Sequence, residues 1–228
     1  MKSTVLLLNV AVLLAAAGAN AGSIDMHGVG GGEYSIPITS LKESKFQATL
    51  KQQYDFSCGS AAVATLLTHH YGYPITEQAV FEEMFARGDQ QKIRQEGFSL
   101  LDMKRFLEEK GFQADGFEKT LDELKTAKLP AIVLIKENGY YHFVVIKGIQ
   151  DGRILIGDPS QGTRAVARSS FEAIWVNRLL FVIHNRQELA KFNGAADWRV
   201  TPRAPIGTGV NQDGLGNLTL PKFGPGDF

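Results

Sequence analysis

The sequence predicts an α+β fold in which helices come first and an antiparallel sheet follows. Between residues 58 and 110, apolar residues recur at helical spacing behind capping residues. Between residues 131 and 183, short runs rich in β-branched and aromatic residues alternate with tight-turn signals. Such short turns join antiparallel strands, because a parallel crossover needs a much longer connection.

Three helices are predicted in the first half. The first begins at Cys58 among small residues that allow close packing, and it ends near Tyr71. Thr76 is the expected N-cap of the second, and Ser99 caps the third with Asp102 three residues later. The predicted ranges are 58–71, 77–85 and 99–110.

Four strands are predicted in the second half, each an apolar run of the length that a buried strand needs. They cover residues 131–135, 140–146, 153–156 and 179–183. The turn signals between and after them are Asn138-Gly139, Asp151-Gly152 and Gln161-Gly162. The pair of strands around Asp151-Gly152 is therefore expected to form a hairpin.

The first 21 residues have the pattern of a cleaved secretory signal peptide. Lys2 precedes an apolar run over 5–17, and Ala19 and Ala21 fit a signal-peptidase site. A retained anchor is the alternative, but the run is shorter than the roughly 20 residues that span a bilayer. We expect export to the periplasm after a cut behind Ala21, and a mature protein that is soluble or peripherally associated.

The rest of the chain divides by composition. Residues 22–45 begin with a glycine-rich stretch and are expected to be flexible, 46–192 form the folded domain, and 193–228 are a Gly/Pro-rich tail. Lys plus Arg and Asp plus Glu both number 24, so the charge balance favours neither nucleic acid nor an anionic membrane as a partner. One cysteine and scattered histidines offer no metal-ligand spacing, and we expect no metal or cofactor.

The single cysteine, Cys58, is the first pointer to chemistry. Exported proteins usually pair their cysteines as disulfides, so a lone one is buried and inert, intermolecular, or a working thiol. A thiol at a helix N-terminus faces unpaired N–H groups and the positive end of the helix dipole, which lower its pKa. The position of Cys58 therefore favours a reactive thiol.

A base for this thiol is sought among the five histidines. Two end the Cys58 helix, roughly 16 Å from its start, one lies in the glycine-rich segment and one follows the last strand. These four are His69, His70, His27 and His184. His142 remains, at the head of a predicted strand, where a hydrogen-bonded core histidine is an equally good interpretation of the spacing.

Asp158 is the expected partner of His142. If the two strands around Asp151-Gly152 pair, the start of one and the end of the other meet at the same edge of the sheet. A carboxylate there would hold the imidazole in one tautomer. Asp158-Pro159 also reads as a simple turn. Gln52 and Gln53, upstream of the cysteine, are the available side-chain donors for an oxyanion.

Three ordered motifs resemble those of the double-glycine-leader peptidases, the bacteriocin-processing family. The cysteine motif lies at 52–62, the histidine motif at 141–145 and the aspartate motif at 157–162, and the resemblance covers about 50–183. It implies a papain-like cysteine peptidase fold. It also implies a substrate leader that ends in two small residues, typically Gly-Gly, and is cut on their C-terminal side.

The resemblance also assigns roles. It implies Cys58 as nucleophile, His142 as base and Asp158 as the residue that orients the base. The family's oxyanion glutamine lies six positions before the cysteine, which here is Gln52. Gly59 and Tyr141, within the same motifs, are expected to contact substrate.

The chain departs from transporter-linked members, since it shows a signal peptide and neither a transmembrane nor a nucleotide-binding domain. It resembles stand-alone periplasmic members that accompany secretion systems for surface fibres, including functional amyloid. The expected partners are a protein or peptide substrate and an outer-membrane secretion or amyloid-assembly system. A non-hydrolytic docking component, a transferase and a tail-docked structural component remain alternatives, and so does a cut in cis at Gly30-Gly31-Gly32.

Overall fold

The computed structural model describes the backbone of two strands, at 23–27 and 33–37, and the whole of residues 40–202. The two strands, β1 (Ser23–His27) and β2 (Glu33–Pro37), pair antiparallel as a unit of their own. These strands and a short helix α1 (Leu41–Lys45) fall within residues 22–45, for which flexibility stays a prediction. Residues in both strands alternate between apolar and polar, which favours extended pairing. The predicted signal peptide lies outside the described residues.

The remaining elements, within residues 41–202, belong to a second unit. Its helices are α2 (Cys58–Thr65), continued by a π-helical turn (Leu66–His70), α3 (Glu77–Arg87), α4 (Gln90–Glu96), α5 (Leu100–Glu109), α6 (Leu121–Ala127), α7 (Arg168–Ile174) and α8 (Ala195–Arg199), with a 3₁₀ turn at Gln187–Leu189. Its strands are β3 (Ala114–Glu118), β4 (Ala131–Glu137), β5 (Tyr140–Gln150), β6 (Arg153–Asp158), β7 (Gly162–Ala167) and β8 (Leu179–Ile183).

These strands form one six-stranded antiparallel sheet in the order β3-β8-β4-β5-β6-β7. The central strand β5 pairs with β4 on one side and β6 on the other, through the two predicted turns. Asn138 and Asp151 both have positive φ, and a glycine follows each, as these tight hairpin turns require. The hairpin predicted around Asp151-Gly152 is therefore confirmed.

Side chains of β5 alternate between two hydrophobic cores, one on each face of the sheet. Phe143 and Val145 join the core formed with α2, α3 and α5. Val144 and Ile146 join the core formed with α6 and α7. Because both faces are covered, β5 is an almost continuous apolar run.

The predicted helix starts are confirmed. Thr76 accepts a hydrogen bond from the Ala79 N–H, and Ser99 forms a capping box with Asp102. The sequence prediction missed α4, α6 and α7 because each has only seven residues, too few to show a helical period. It also missed the edge strands β3 and β7, whose residues are mixed in polarity.

The first residues of the predicted tail at 193–228, from Asn193 to α8, are hydrogen-bonded to the domain. The Asn193 side chain bonds the Ile149 N–H and C=O beside a bulge in β5. At that bulge Lys147 is wholly buried, and its Nζ donates to Asp197 Oδ1 at 2.6 Å and to the Ala48 carbonyl at 2.7 Å. Burial lowers the pKa of Lys147, and Asp197 opposes that shift.

His70 ties the same segment to the π-helical turn. Its Nδ1 donates to the Lys191 carbonyl at 2.6 Å, and the Lys191 N–H donates back to the His70 carbonyl at 2.9 Å. Burial and the nearby Lys147 lower the pKa of His70 to about 4. The ring is therefore neutral near pH 7 and keeps the proton that the carbonyl requires.

Among the described residues, no helix has the length and apolar character to cross a membrane.

We predict that Asp197→Ala destabilises the domain by about 3–5 kcal/mol, because it leaves the Lys147 ammonium buried without its counter-ion. The free energy of unfolding from urea titration at pH 7 is the measurement. Asp122→Ala is the matched control, since Asp122 pairs with Arg168 on the surface and should contribute little. Equal, small effects of the two substitutions would contradict the prediction.

Candidate active site

Cys58 is the first residue of α2, and the loop before it leaves the helix start unblocked. Ser57 occupies the N-cap position without capping the helix through its side chain. Its hydroxyl instead exchanges hydrogen bonds with the backbone of Tyr54, at 3.1 Å and 3.0 Å. The first N–H groups of a helix have no partner within the helix, so they remain available near the sulfur.

The thiol of Cys58 is buried, with only 8% of the residue exposed. Burial raises its pKa, while the backbone N–H groups of Phe143, Gly59 and Cys58 itself act to lower it. The sequence predicted a lowered pKa, and this is wrong for the balance in the structure, because burial outweighs the helix N-terminus. The thiolate therefore needs a cation beside it, and the Phe143 contact places the sulfur next to the backbone of His142.

Gly59 lies under the nucleophile with a packing role. A Cβ on Gly59 would fall 2.8 Å from Met103 Cε and 2.9 Å from Phe98 Cβ, so α5 and its preceding loop leave no room for a side chain. This contact fixes how deeply α2 sits against α5. The predicted contact of Gly59 with substrate stays a prediction.

A buried carboxyl group supports the first turn of α2. Ser60 Oγ lies 2.8 Å from Oε1 of Glu77, the first residue of α3, and 2.8 Å from the Ser57 carbonyl, so these two acceptors share its one hydrogen. Burial raises the pKa of Glu77. The network ties the start of α3 to the loop that holds Cys58.

His142 and Asp158 meet at the same edge of the sheet, as the hairpin predicts. His142 Nε2 lies 3.4 Å from Asp158 Oδ2. At this distance the two groups form an ion pair when the ring is charged, and Nε2 makes no well-aligned hydrogen bond within the described structure. Because Nε2 faces the carboxylate, Nδ1 is the ring nitrogen left for the thiol.

Asp158 is wholly excluded from solvent and is held in place by its own turn. Oδ1 accepts hydrogen bonds from the Ser160 N–H at 2.9 Å, the Ser160 hydroxyl at 2.7 Å and the Gln161 N–H at 3.2 Å. Burial acts to raise the pKa of Asp158, but the imidazole of His142 and the Ser160 donors outweigh it and hold the pKa well below its usual range. The carboxylate thus stays ionised beside His142.

Two residues that the sequence reasoning missed also belong to the site. Arg164, on β7, donates to Asp158 Oδ2 through Nε at 3.2 Å and Nη2 at 3.1 Å. Its Nη2 also donates to Glu137 Oε2 at 2.7 Å. No local sequence pattern predicts that Arg164 joins Asp158 to Glu137, since 27 residues separate Glu137 from Arg164. The available sequence signal was Arg164 itself, a charged residue two positions after the aspartate motif at 157–162.

Gln52 joins the cysteine loop to the aspartate loop. Its N–H donates to the Pro159 carbonyl at 3.1 Å, while its side-chain Nε2 donates to the carbonyls of Tyr54 at 3.1 Å and Asp55 at 3.4 Å. The amide therefore braces the loop before Cys58. Donation to an oxyanion requires it to give up one of these bonds, of which the longer is the weaker.

Tyr141 precedes His142 and is exposed over 57% of its surface, with Lys136 Nζ 4.9 Å from the centre of its ring. Its exposure leaves it accessible, and its contact with substrate stays a prediction. His184, which the sequence analysis set aside as a base, pairs with Asp115 at 2.8 Å on the far edge of the sheet. No group of side chains in the described part of the chain has the arrangement of a metal site.

A buried thiol at a helix start, beside a strand that brings a histidine to a carboxylate, is the arrangement of a cysteine peptidase. The fold agrees: the peptidase domain of Streptococcus ComA, an ABC transporter, superposes with a TM-score of 0.50 at 21% identity, over 60% of this chain and 97% of that one. The domain is thus papain-like. The sequence model of the peptidase C39 family matches residues 47–187, and the chain belongs to that family.

Two relatives of the chain carry names that describe a protease and a processing transporter. A Pseudomonas aeruginosa protein described as "Probable functional amyloid protease FapD" is 41% identical over 154 residues, which are 68% of this chain and 68% of that protein. The Lactococcus lactis "Lactococcin-G-processing and transport ATP-binding protein LagD" is 34% identical over 134 residues, 57% of this chain and 18% of that protein. The protein is therefore a cysteine peptidase.

We predict that Asp158→Asn destabilises the domain at pH 6 and that the difference from wild type narrows as the pH falls below about 4. The folded-state pKa is depressed, so the carboxylate contributes stability above the unfolded pKa of about 3.9 and loses it as the pH falls towards the folded value. Urea unfolding of both proteins between pH 2 and pH 6 measures this. A difference that stays constant over that range would contradict it.

Proposed function

We propose that the protein is a periplasmic cysteine endopeptidase that cuts after small, Gly-Gly-like residues in a secreted or fibre-forming protein. The observation that carries the proposal is the His142–Asp158 pair beside a buried thiol that contacts the Phe143 N–H, in a chain 41% identical to a probable functional amyloid protease. The relative named for processing of lactococcin G supports a peptide or protein substrate that is processed by cleavage. An outer-membrane secretion or amyloid-assembly system is the proposed partner.

The proposed reaction passes through a thioester. His142 takes the proton of Cys58, and the thiolate attacks the carbonyl carbon of the scissile bond. Gln52 and the Cys58 N–H bind the oxyanion that forms. The C–N bond then breaks as the amine takes the proton from His142. Water, deprotonated by His142, next attacks the thioester, and the carboxylate product leaves with Cys58 reprotonated.

Burial of the nucleophile supports the preference for small residues. Only 8% of Cys58 and 9% of the neighbouring Phe143 are exposed, so a substrate backbone must come close to reach the sulfur. A side chain at the cut site would meet the walls of α2 and β5 before the carbonyl reached the thiol. Selectivity would then arise by exclusion of larger residues.

The sequence of the first 21 residues supports the periplasmic proposal. The apolar run over 5–17 and the small residues Ala19 and Ala21 are the grounds for a cut behind Ala21. Cys58 is a free thiol and it is buried, which would protect it from oxidation in the periplasm. The C39 domain, at 47–187, lies wholly behind this cut.

We predict that Cys58→Ala abolishes cleavage of a peptide carrying a Gly-Gly site, because no nucleophile remains. Gln52→Ala should lower kcat about 10²–10³-fold through loss of an oxyanion donor. Gln53→Ala is its matched control, as an exposed neighbouring glutamine, and should keep near-wild-type kcat. Initial rates with product masses are the measurement.

In the same assay, a peptide substrate with leucine in place of the residue before the cut should not be turned over by the wild-type enzyme. Hydrolysis gives two products whose masses add up to the substrate mass plus one water, whereas transfer to an amine adds the mass of that amine instead. Retained turnover in Cys58→Ala, with circular dichroism showing both proteins folded, would end the assignment.

We predict that protein recovered from the periplasm begins at Gly22. Fractionation followed by intact-mass analysis of the recovered chain measures this directly. A periplasmic chain that begins within 31–33 would instead show a cut in cis at Gly30-Gly31-Gly32. Full-length protein confined to the membrane or cytoplasm would contradict export.

A further inference from the structure

Arg164 bridges the buried Asp158 to a second carboxylate. Its Nη2 lies 3.1 Å from Asp158 Oδ2 and 2.7 Å from Glu137 Oε2, and its Nη1 lies 3.4 Å from Glu137 Oε1. Glu137 is the last residue of β4, so Arg164 joins β7 to β4 across the two strands that carry His142 and Asp158. The Arg164 and Glu137 side chains are 19% and 30% exposed, whereas Asp158 is fully enclosed.

Strand register explains why these residues meet. Ile135 lies opposite His142, and Ile156 lies opposite Arg164. Residues two apart on a strand share a face, so Glu137 follows Ile135 onto the face of His142 and Asp158 follows Ile156 onto that of Arg164. The ion pair thus lies on the same face as the His142–Asp158 contact.

This position gives Arg164 an electrostatic effect on the nucleophile. Asp158 Oδ2 is shared by an imidazole 3.4 Å away and a guanidinium that stays charged at every working pH. The charge of Asp158 acts to raise the pKa of Cys58, and a fixed cation bound to the same carboxylate offsets that effect. The Glu137 carboxylate offsets that cation, so the net field depends on both members.

We propose that Arg164 and Glu137 are positioning residues that orient Asp158 and together set the pH range in which the thiolate–imidazolium pair exists. The inference rests on the proposed roles of Cys58 and His142. Arg164 fixes the carboxylate oxygen that faces the ring, and Glu137 holds Arg164 over it and balances its charge. Both act on the nucleophile through Asp158.

Charged groups approach the pair from several elements. Asp158 comes from β6, Arg164 from β7 and Glu137 from β4, and the thiol comes from α2. The buried Glu77, at the start of α3, contacts Ser60 in the first turn of α2. Two lysines lie further out: Lys136 contacts the Tyr141 ring, and Lys45 lies against Gly162. Glu77 and the two lysines are the same in every variant, so a shift between variants reports the bridge.

The test is the pH dependence of Cys58 alkylation by iodoacetamide, followed by intact mass. The chain has one cysteine, so the mass gain reports that thiol alone. Arg164→Gln should move the midpoint for thiolate formation up by about half a pH unit or more, because it removes a nearby cation. Glu137→Gln should move it down by a similar amount, because it leaves that cation unbalanced.

Two further variants make the result decisive. Arg164→Lys keeps the charge and should return the midpoint towards the wild-type value. Arg168→Gln removes an arginine that binds Asp122 and Glu172 away from the site, and should leave the midpoint unchanged. Should Arg164→Gln fail to fold, a downward shift in Glu137→Gln together with a wild-type-like midpoint in Arg164→Lys still supports the inference, and an unmoved midpoint in Glu137→Gln overturns it.

Shifts of opposite sign for Glu137→Gln and Arg164→Gln support the inference. Unmoved midpoints, or shifts of the same sign, overturn it, and the Arg164–Glu137 ion pair then has only a structural role. Failure of the proposed function shows separately, in a wild-type midpoint that His142→Ala does not change.

Discussion

The fully buried carboxylate of Asp158 is the constraint around which the active-site end of the domain is arranged. An ionised group without water needs several donors, because an unpaired buried charge is far too costly to persist. Here the turn after β6 supplies donors to one oxygen, while Arg164 and His142 take the other. The turn, the edge strand β7 and the orientation of the imidazole therefore follow from a single buried charge.

The nucleophile depends on this arrangement because its own surroundings do not ionise it. Burial raises the pKa of Cys58 more than the helix N-terminus and the Phe143 N–H lower it. Activation then falls to the imidazole, and through it to Asp158. A second buried charge, Lys147, performs a purely structural task elsewhere by tying α8 to the sheet through Asp197.

Much of this could be predicted from the sequence where the signal is local. The caps at Thr76 and Ser99 and the hairpin at Asp151-Gly152 are short-range patterns, and the hairpin alone brings His142 to Asp158. Arg164 and Glu137 could not be predicted, because their meeting depends on strand order across the sheet. The embedding of α8 was likewise hidden, since only a lysine within the apolar run of β5 hinted at a buried partner.

The central claim is that His142, held by Asp158, makes Cys58 a nucleophile in a cleft for small residues. A thiol-directed irreversible probe carrying a Gly-Gly recognition end tests it most directly, with wild type and His142→Ala compared by intact mass. The account predicts one adduct on Cys58 of the wild type and a sharp fall in its rate of formation without His142, while both proteins remain folded. Equal labelling of the two, or no labelling of folded wild type, would contradict it.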